Sequence, residues 1–214
     1  MRRRYDPSSR LLLTPDDPQA ADRVGRLAEL GLGPGAPGGA TTSAGCDAFD
    51  AFARRMATEL SAPLAMVNFI DERRQFLVGL HPTGGGGPPG GRGAAESERD
   101  VPGRSLPRSH GYCPHVVVRR AALVLEDVLD YPRFAGNPAV EELGIRAYLG
   151  APLLEAAGPA LGTVCVADVR PRPWGRGGLE TIKEFAAELT ARITAPRVWA
   201  QGPVLTPGRR RTAP

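Results

Sequence analysis

Two short apolar runs on either side of a charged tetrad constrain the fold of this chain more than any other feature. The first run is Leu64–Ile70, the second is Gln75–Leu80, and the tetrad 71–74 separates them. Runs of this length with polar residues between them are typical of two strands joined by a tight turn. We therefore predict a β-hairpin over residues 64–80.

Apolar residues at helical spacing occur on both sides of this hairpin. Between Phe49 and Leu60 they recur every three or four residues, which predicts an amphipathic helix that Pro63 ends. The same spacing over Leu179–Ile193 predicts a helix that closes the domain. A shorter helix is predicted over Ala20–Leu30, and the glycine-rich stretch after it stops that helix.

Three later runs complete the predicted sheet. They are typical of strands and cover Ala122–Asp127, Arg146–Leu154 and Leu161–Asp168. Five strands joined by hairpins and longer crossings, with helices at both ends, indicate an α+β fold with a mostly antiparallel sheet and helices on one face. The long connections must then cover the other face, so we expect a ligand pocket between them and the sheet.

The segments outside these elements have compositions typical of loose chain. Residues 82–104 hold eight glycines and four prolines with few large apolar groups. Burial cannot offset the entropy lost on ordering such a segment, so we predict a flexible insertion there. The domain is assigned to residues 46–195, preceded by a leader over 1–45 that is flexible apart from its short helix. A disordered basic tail is predicted over 196–214.

The position of the basic residues disfavours a nucleic-acid-binding face. The formal net charge is +4, but seven arginines lie within residues 2–10 and 209–211. Without them and Asp6, the body carries 20 basic and 22 acidic residues, so binding to nucleic acid is not expected. The alternative, that the two arginine-rich ends dock on nucleic acid or on an acidic partner, stays open.

The distribution of apolar residues and cysteines predicts a cytoplasmic protein. No stretch approaches the roughly 18 uninterrupted apolar residues of a membrane helix, and no apolar signal core follows the N-terminal arginines. The chain has three widely spaced cysteines, Cys46, Cys113 and Cys165, without a C-x-x-C pair. This pattern indicates neither a disulfide framework nor a zinc cluster, and it fits a reducing compartment.

Five ordered blocks of residues carry a resemblance to a known family. They are 71–76 (DERRQF), 110–115 (HGYCPH), 130–138 (DYPRFAGNP), 144–153 (GIRAYLGAPL) and 161–168 (LGTVCVAD). In order and spacing they are similar to the landmarks of GAF domains found beside bacterial histidine kinases and diguanylate cyclases. The segment 17–30 is similar to the short leader helix that often precedes this subtype.

The resemblance implies a six-stranded antiparallel sheet with helices behind it and a pocket in front for a small molecule or a signalling partner. It also implies, in many members, a dimer through the terminal helices. The expected fold is therefore α+β and GAF-like. Its central, mostly antiparallel sheet has five to six strands, with terminal helices on one face and a ligand pocket on the other.

This chain departs from the subtype at three places. The insertion over 82–104 replaces part of the wall that would border the pocket. Pro114 stands where the subtype usually has a small helix former, so the helix here is predicted to begin at Pro114. No kinase, cyclase or phosphatase motif follows Ile193, so output is expected through a signalling partner protein or through oligomerisation.

Seven side chains are candidates for binding a ligand in the pocket. They are Asn68, Cys113, His115, Asp130, Phe134, Arg146 and Tyr148. Asn68 is polar in an apolar strand and needs a hydrogen-bond partner when buried. Arg146 and Tyr148 share one face of a strand, where Arg146 could hold an anionic group and Tyr148 could stack or donate a hydrogen bond. The favoured alternative for Arg146 is an ion pair with a carboxylate such as Asp127 or Asp168.

The cysteines do not predict a catalytic or metal site. Cys113 and His115 invite a nucleophile–base pair, but residues two apart on a helix point to different sides, and a zinc site would need further ligands. Cys165 lies inside an apolar strand and is predicted to be a core residue. Cys46, at a helix start after glycines, is predicted to be exposed.

Two activities of GAF proteins fit these residues less well than a sensor does. Members that reduce free methionine sulfoxide use pocket cysteines, and neither pocket-region thiol here has the Val-Cys-Gly setting that such an enzyme requires. Covalent bilin attachment commonly uses a cysteine followed by histidine shortly before the strand near Ile145, and residues 134–143 hold neither.

We therefore expect a sensory or regulatory module of bacterial signal transduction without catalytic output. It would bind a small molecule or a partner protein, and the sequence does not name its ligand or a cofactor. A thiol enzyme of the methionine sulfoxide reductase type is the alternative.

Overall fold

The computed structural model describes residues 5–6, 11–12, 14–33, 43–82 and 104–195. Most of the predicted leader apart from its helix, nearly all of the predicted insertion over 82–104, and the predicted tail over 196–214 lie outside the described residues.

Eight strands and five α-helices make up the described part of the chain. The strands are β1 (Tyr5–Asp6), β2 (Leu11–Leu12), β3 (Leu64–Ile70), β4 (Arg74–Pro82), β5 (Ser105–Pro107), β6 (Leu123–Leu125), β7 (Ala147–Leu154) and β8 (Ala160–Asp168). The helices are α1 (Ala20–Glu29), α2 (Ser43–Glu59), α3 (Cys113–Arg119), α4 (Pro138–Leu143) and α5 (Gly175–Thr194), with a 3₁₀ turn at Val128–Asp130. None of these helices is both long enough and apolar enough to cross a bilayer.

Six of the strands form one antiparallel sheet in the order β5-β4-β3-β8-β7-β6. The α+β fold with an antiparallel central sheet, expected from the sequence, is confirmed. The residue pattern predicts five of these strands and misses β5, whose three residues end on a proline and are too few to show an alternation. β3 occupies the predicted residues, and β8 at the middle of the sheet is buried at all nine of its positions.

Helices α2 and α5 cover one face of the sheet, as the apolar stripes on both helices predict. Phe52 of α2 meets Phe185 of α5 edge to face, with 5.5 Å between ring centroids. Met56 and Ile182 are fully buried in the same core. Each such side chain contributes about 1.5–3 kcal/mol through removal of its apolar surface from water, so this layer supplies much of the domain's stability.

Helix α1 is joined to the sheet through a buried arginine that the sequence interpretation did not single out. The Arg23 side chain is fully buried, and its guanidinium pairs with Asp17. Its Nε donates to the carbonyl oxygen of Ile70 at 2.7 Å, and its Nη1 donates to that of Ala160 at 3.3 Å. Arginine on a short polar helix is ordinarily solvated, so only the tertiary contacts identify this one.

The prediction that Cys46 is exposed is wrong. Helix α2 begins at Ser43, well before the first residue of the predicted stripe, and Cys46 is 4% exposed. Cys46 precedes Phe49 by three residues and so lies on the same buried side of the helix.

Helix α3 begins at Cys113, one residue before the predicted start at Pro114. Pro114 therefore stands in the first turn, where its missing N–H leaves no helical hydrogen bond unmade.

Candidate functional site

An apolar cavity of about 60 Å³ lies against the face of the sheet opposite α2 and α5. Its walls come from alternate positions of β3, from three positions of β4, and from one residue each of β5, β7 and β8. Residues 110–113 at the start of α3, together with α4 and Ile145, complete them. Alternation along β3 explains the placement, since Val67 and Phe69 enter the core beneath the helices while Met66 and Asn68 face the cavity.

Two buried amides tie the β3–β4 hairpin to the segment that closes the cavity. Asn68 Nδ2 donates to Gln75 Oε1 at 2.9 Å. Gln75 Nε2 in turn donates to the carbonyl oxygens of Pro107 at 2.8 Å and His110 at 2.6 Å. The buried amides of β3 and β4 thereby hold the segment 107–110 at the edge of the cavity.

Two buried polar atoms of the cavity lining have no hydrogen-bond partner among the described residues. They are Asn68 Oδ1 and the hydroxyl oxygen of Tyr112. Leaving a buried polar atom unpaired costs about 1–3 kcal/mol, so each such atom in a folded protein calls for a partner such as a water, an ion or a ligand.

A pair of thiols lies at one end of the same cavity. Cys113 Sγ, which lines the cavity, is 3.6 Å from Cys165 Sγ and 3.3 Å from the hydroxyl oxygen of Tyr148. The hydrogen bond from Cys165 lowers the pKa of Cys113 below its usual range against the effect of burial, and the same contact raises the pKa of Cys165. Such a pair titrates as one unit that releases its first proton early and its second late.

His115 and Phe134 form a layer that does not line the cavity. The His115 ring is 2% exposed and meets the edge of Phe134 with 5.1 Å between centroids, and Phe134 meets Tyr112 at 5.7 Å. Burial, followed by the positive charge of Arg133, lowers the pKa of His115 to about 4. The imidazole is therefore neutral at pH 7, and in the described structure it makes no hydrogen bond with the Cys113 thiol.

Arg146 is held by a carboxylate and does not line the cavity. Its Nε donates to Asp127 Oδ1 at 3.0 Å and its Nη2 to Asp127 Oδ2 at 2.5 Å. This bond lowers the pKa of Asp127 and raises that of Arg146. The ion pair between Arg146 and a carboxylate that the sequence analysis favours is confirmed, with Asp127 as the partner. Asp168, the other carboxylate considered there, pairs with Arg172. Asp130 is exposed in the 3₁₀ turn.

Three of the seven candidate residues therefore meet around the cavity: Asn68, Cys113 and Tyr148. Sequence reasoning did not assign Gln75 and Tyr112 to the site. A usable signal existed for Gln75, because it is a second polar residue in the same apolar hairpin as Asn68. Among the described residues, no three or more His, Cys, Asp or Glu side chains are grouped so that they could hold a metal ion.

The antiparallel sheet, the helical layer behind it and the cavity in front define an α+β domain with a cavity on one face of its sheet. The family model of the GAF domain matches residues 47–193. The chain therefore belongs to the GAF family, whose domains act as sensory or regulatory modules that bind small molecules.

One curated relative is a cyclic di-GMP phosphodiesterase of Pseudomonas aeruginosa. It is 28% identical over 152 residues, which cover 69% of this chain and 22% of that protein. The chain thus matches about a fifth of the relative's length.

Solved GAF domains share the fold at low sequence identity. The domain from a phosphoenolpyruvate-protein phosphotransferase of Coxiella burnetii is 17% identical with a TM-score of 0.53, over 86% of this chain and 98% of that one. The equivalent Acinetobacter domain is 17% identical with a TM-score of 0.52, over 87% and 99%. The blue-light absorbing form of the PixJ GAF domain from Thermosynechococcus elongatus is 16% identical with a TM-score of 0.51, over 69% and 83%.

Proposed function

We propose that this GAF domain binds a small uncharged molecule in the cavity and signals its presence to a partner protein without catalysing a reaction. The observation that carries the proposal is the pair of unpartnered buried atoms, Asn68 Oδ1 and the Tyr112 hydroxyl, in the wall of one apolar cavity. A ligand with a donor for Asn68 and a polar atom for Tyr112 would satisfy both and so bind selectively.

The charge of the cavity wall argues for an uncharged ligand. None of the described residues that line it is an arginine or a lysine, and Arg146 is paired with Asp127 outside it. A phosphate group buried there would lack a counter-charge, which is costly in an apolar site. Cyclic di-GMP, the compound in the relative's name, is therefore not the ligand we propose for this cavity.

The size of the cavity argues for a small ligand. Its volume of about 60 Å³ is well below the roughly 300–1,000 Å³ of pockets that hold drug-sized molecules. A larger ligand would have to displace the segment 110–112, which Gln75 holds through the His110 carbonyl.

We propose that output passes through the sheet to helices α2 and α5. Strand β8 contributes Cys165 and Ala167 to the cavity side and Val164 and Val166 to the helix core, so a ligand that moves this strand also moves the core under both helices. A signalling partner, or a second copy of the chain, would contact the domain along these helices. Light scattering of the purified protein with and without its ligand tests the second possibility.

The decisive experiment is a thermal-shift screen of small uncharged metabolites and of nucleotides, followed by native mass spectrometry. Tyr112→Phe is the matched variant, because it removes only an unpartnered hydroxyl and leaves the ring contacts with Phe134 and Tyr148 in place. Because an unpaired buried hydroxyl is removed, we expect a higher melting temperature without ligand and a smaller shift with ligand. Tyr131→Phe, on an exposed tyrosine, is the control. Stabilisation by nucleotides alone would contradict the proposal.

A methionine sulfoxide reductase-like activity is the second candidate, and the 3.6 Å approach of Cys113 and Cys165 is the observation that favours it. Turnover of free methionine sulfoxide with a thiol reductant, lost in Cys113→Ser, would establish this activity in place of a purely sensory role.

A further inference from the structure

Two thiols that are distant in sequence are in contact at the cavity. Cys113 opens α3, Cys165 lies in the middle of β8, and their sulfur atoms are 3.6 Å apart. A disulfide needs about 2.05 Å between sulfurs, so the bond requires an approach of about 1.5 Å, within reach of small side-chain rotations. The third cysteine, Cys46, is on α2 across the sheet, so it is not a competitor for either sulfur.

The polar groups around Cys113 favour its thiolate. The Cys165 thiol and the Tyr148 hydroxyl both lie within hydrogen-bonding distance of Cys113 Sγ. Thr163 Oγ1 is buried and lies two positions before Cys165 on the same side of β8, and this hydroxyl also lowers the pKa of Cys113. A thiolate is the nucleophilic form of cysteine, so Cys113 is the sulfur that reacts first.

Only one of the two sulfurs borders the cavity. Cys113 lines it, whereas Cys165 is fully buried behind Cys113. A cavity of about 60 Å³ exceeds the roughly 10–15 Å³ that one water needs, so it has room for a molecule as small as hydrogen peroxide. The arrangement places an attacking sulfur next to the space and a resolving sulfur directly behind it.

We propose that Cys113 and Cys165 form an oxidation site that takes hydrogen peroxide and is converted to an intramolecular disulfide. The Cys113 thiolate attacks one peroxide oxygen, so that an S–O bond forms, the O–O bond breaks, and the departing hydroxide takes a proton and leaves as water. Cys113 is thereby oxidised to a sulfenic acid and the peroxide is reduced.

The second step closes the bond. The Cys165 sulfur attacks the sulfur of the sulfenic acid, the S–S bond forms and the S–O bond breaks. The hydroxide that leaves combines with the proton of the Cys165 thiol to give a second water. In total, two thiols and one peroxide become one disulfide and two waters. Reduction by a small dithiol or a cellular thiol reductant restores the starting state.

The bond would change the contacts that connect α3 with the sheet. It draws the start of α3 toward β8 and replaces the thiol that Tyr148 now contacts. That the disulfide acts as a signal rests on the proposed sensory function, and the class of signal is then a small oxidant. The chemistry itself needs no ligand other than the peroxide.

The test uses the full chain, reduced, freed of reductant, and treated with hydrogen peroxide. After alkylation in denaturant, the intact mass gives the number of free thiols and peptide mapping gives the linkage. We expect the number of alkylatable thiols to fall from three to one, with Cys113 linked to Cys165. The proposal is overturned if all three stay alkylatable, or if the bond includes Cys46.

Variants and a time course separate the two sulfurs. Cys46→Ala should form the same disulfide, and in Cys165→Ala oxidation should stop at a Cys113 sulfenic acid that a 1,3-diketone reagent traps. If Cys165→Ala does not fold, the same reagent added to the wild-type chain at early times should label Cys113, and labelling of Cys165 instead would refute the order of attack.

The ligand screen is done on the reduced protein, so the two ideas fail separately. A disulfide without any ligand-induced thermal shift removes the binding proposal and leaves the oxidation site. A ligand-induced thermal shift without a disulfide removes the oxidation site and leaves the binding proposal.

Discussion

Replacement of Arg23 tests whether α1 is a structural part of the folded domain. Arg23→Met keeps most of the side chain's apolar length and removes the guanidinium, which bonds Ile70, Ala160 and Asp17. The Asp17 side chain is 3% exposed and would retain its contact with Arg108 at 3.2 Å and the hydrogen bond that the Gln19 N–H donates to Oδ1 at 3.2 Å. The variant therefore leaves a buried carboxylate that has lost one of its two arginine partners.

The expected loss of stability follows from these contacts. Removing one partner of a buried ion pair costs about 3–5 kcal/mol, and since Arg108 stays beside Asp17 we expect the lower end of that range. Domains of this kind unfold with about 5–15 kcal/mol, so the loss is a large part of the total. With a urea dependence of about 1–3 kcal/mol per molar, the unfolding midpoint should fall by roughly 1–3 M.

Urea unfolding followed by circular dichroism measures this midpoint, and Arg26→Met is the matched control. Arg26 lies one turn further along α1 and pairs with Glu155 at a partly exposed position, where solvent screens the pair. We expect its midpoint to stay close to that of the wild type. If Arg23→Met and Arg26→Met unfold at the same urea concentration as the unmodified chain, the buried arginine does not anchor the leader helix.

Three further substitutions probe burial and close packing. His115→Phe should remove a pH dependence of stability. Because the pKa of His115 is about 4 in the folded state and about 6.5 in the unfolded state, the free energy of unfolding of the wild type should fall by about 3 kcal/mol between pH 6.5 and pH 4. If the urea midpoints of the wild type and of His115→Phe shift equally over this pH range, the reasoning is wrong. Gly162→Ala should lower the melting temperature markedly, since an added Cβ would lie 2.2 Å from the Asn68 carbonyl oxygen and force β3 and β8 apart. Gly177→Ala, whose Cβ would meet nothing within 4 Å on α5, should instead stabilise the chain by up to about 1 kcal/mol, and calorimetry of both glycine variants checks the contrast.

Local pattern predicted the main elements because their burial is periodic along the chain. β3 has the predicted bounds, and the stripes of α2 and α5 are the faces that meet in the core. β5 was missed because it depends on pairing with β4 across the insertion. Arg23 was missed for a related reason, since its partners at Asp17, Ile70 and Ala160 come from three separate segments.

Part of the site could be predicted because some of its polar residues stand in otherwise apolar strands. Asn68 and Tyr148 are polar side chains in apolar strands, and that contrast is visible in the sequence. The contact between Cys113 and Cys165 depends on how α3 docks on β8, so two cysteines 52 positions apart gave no signal of a pair. The partner of Arg146 could be narrowed to two carboxylates, and only the structure chooses Asp127.

The burial of β8 on both faces restricts how this protein can evolve. A change at Ala167 alters the cavity wall, a change at Cys165 alters the packing behind Cys113, and a change at Val164 or Val166 alters the packing under the helices. Because all nine positions of the strand are buried, we expect a saturation mutagenesis scan to find substitutions poorly tolerated along the whole of β8. We then expect new ligand specificities to arise by substitutions in the cavity wall at residues 110–112, while the sequence of β8 stays the same.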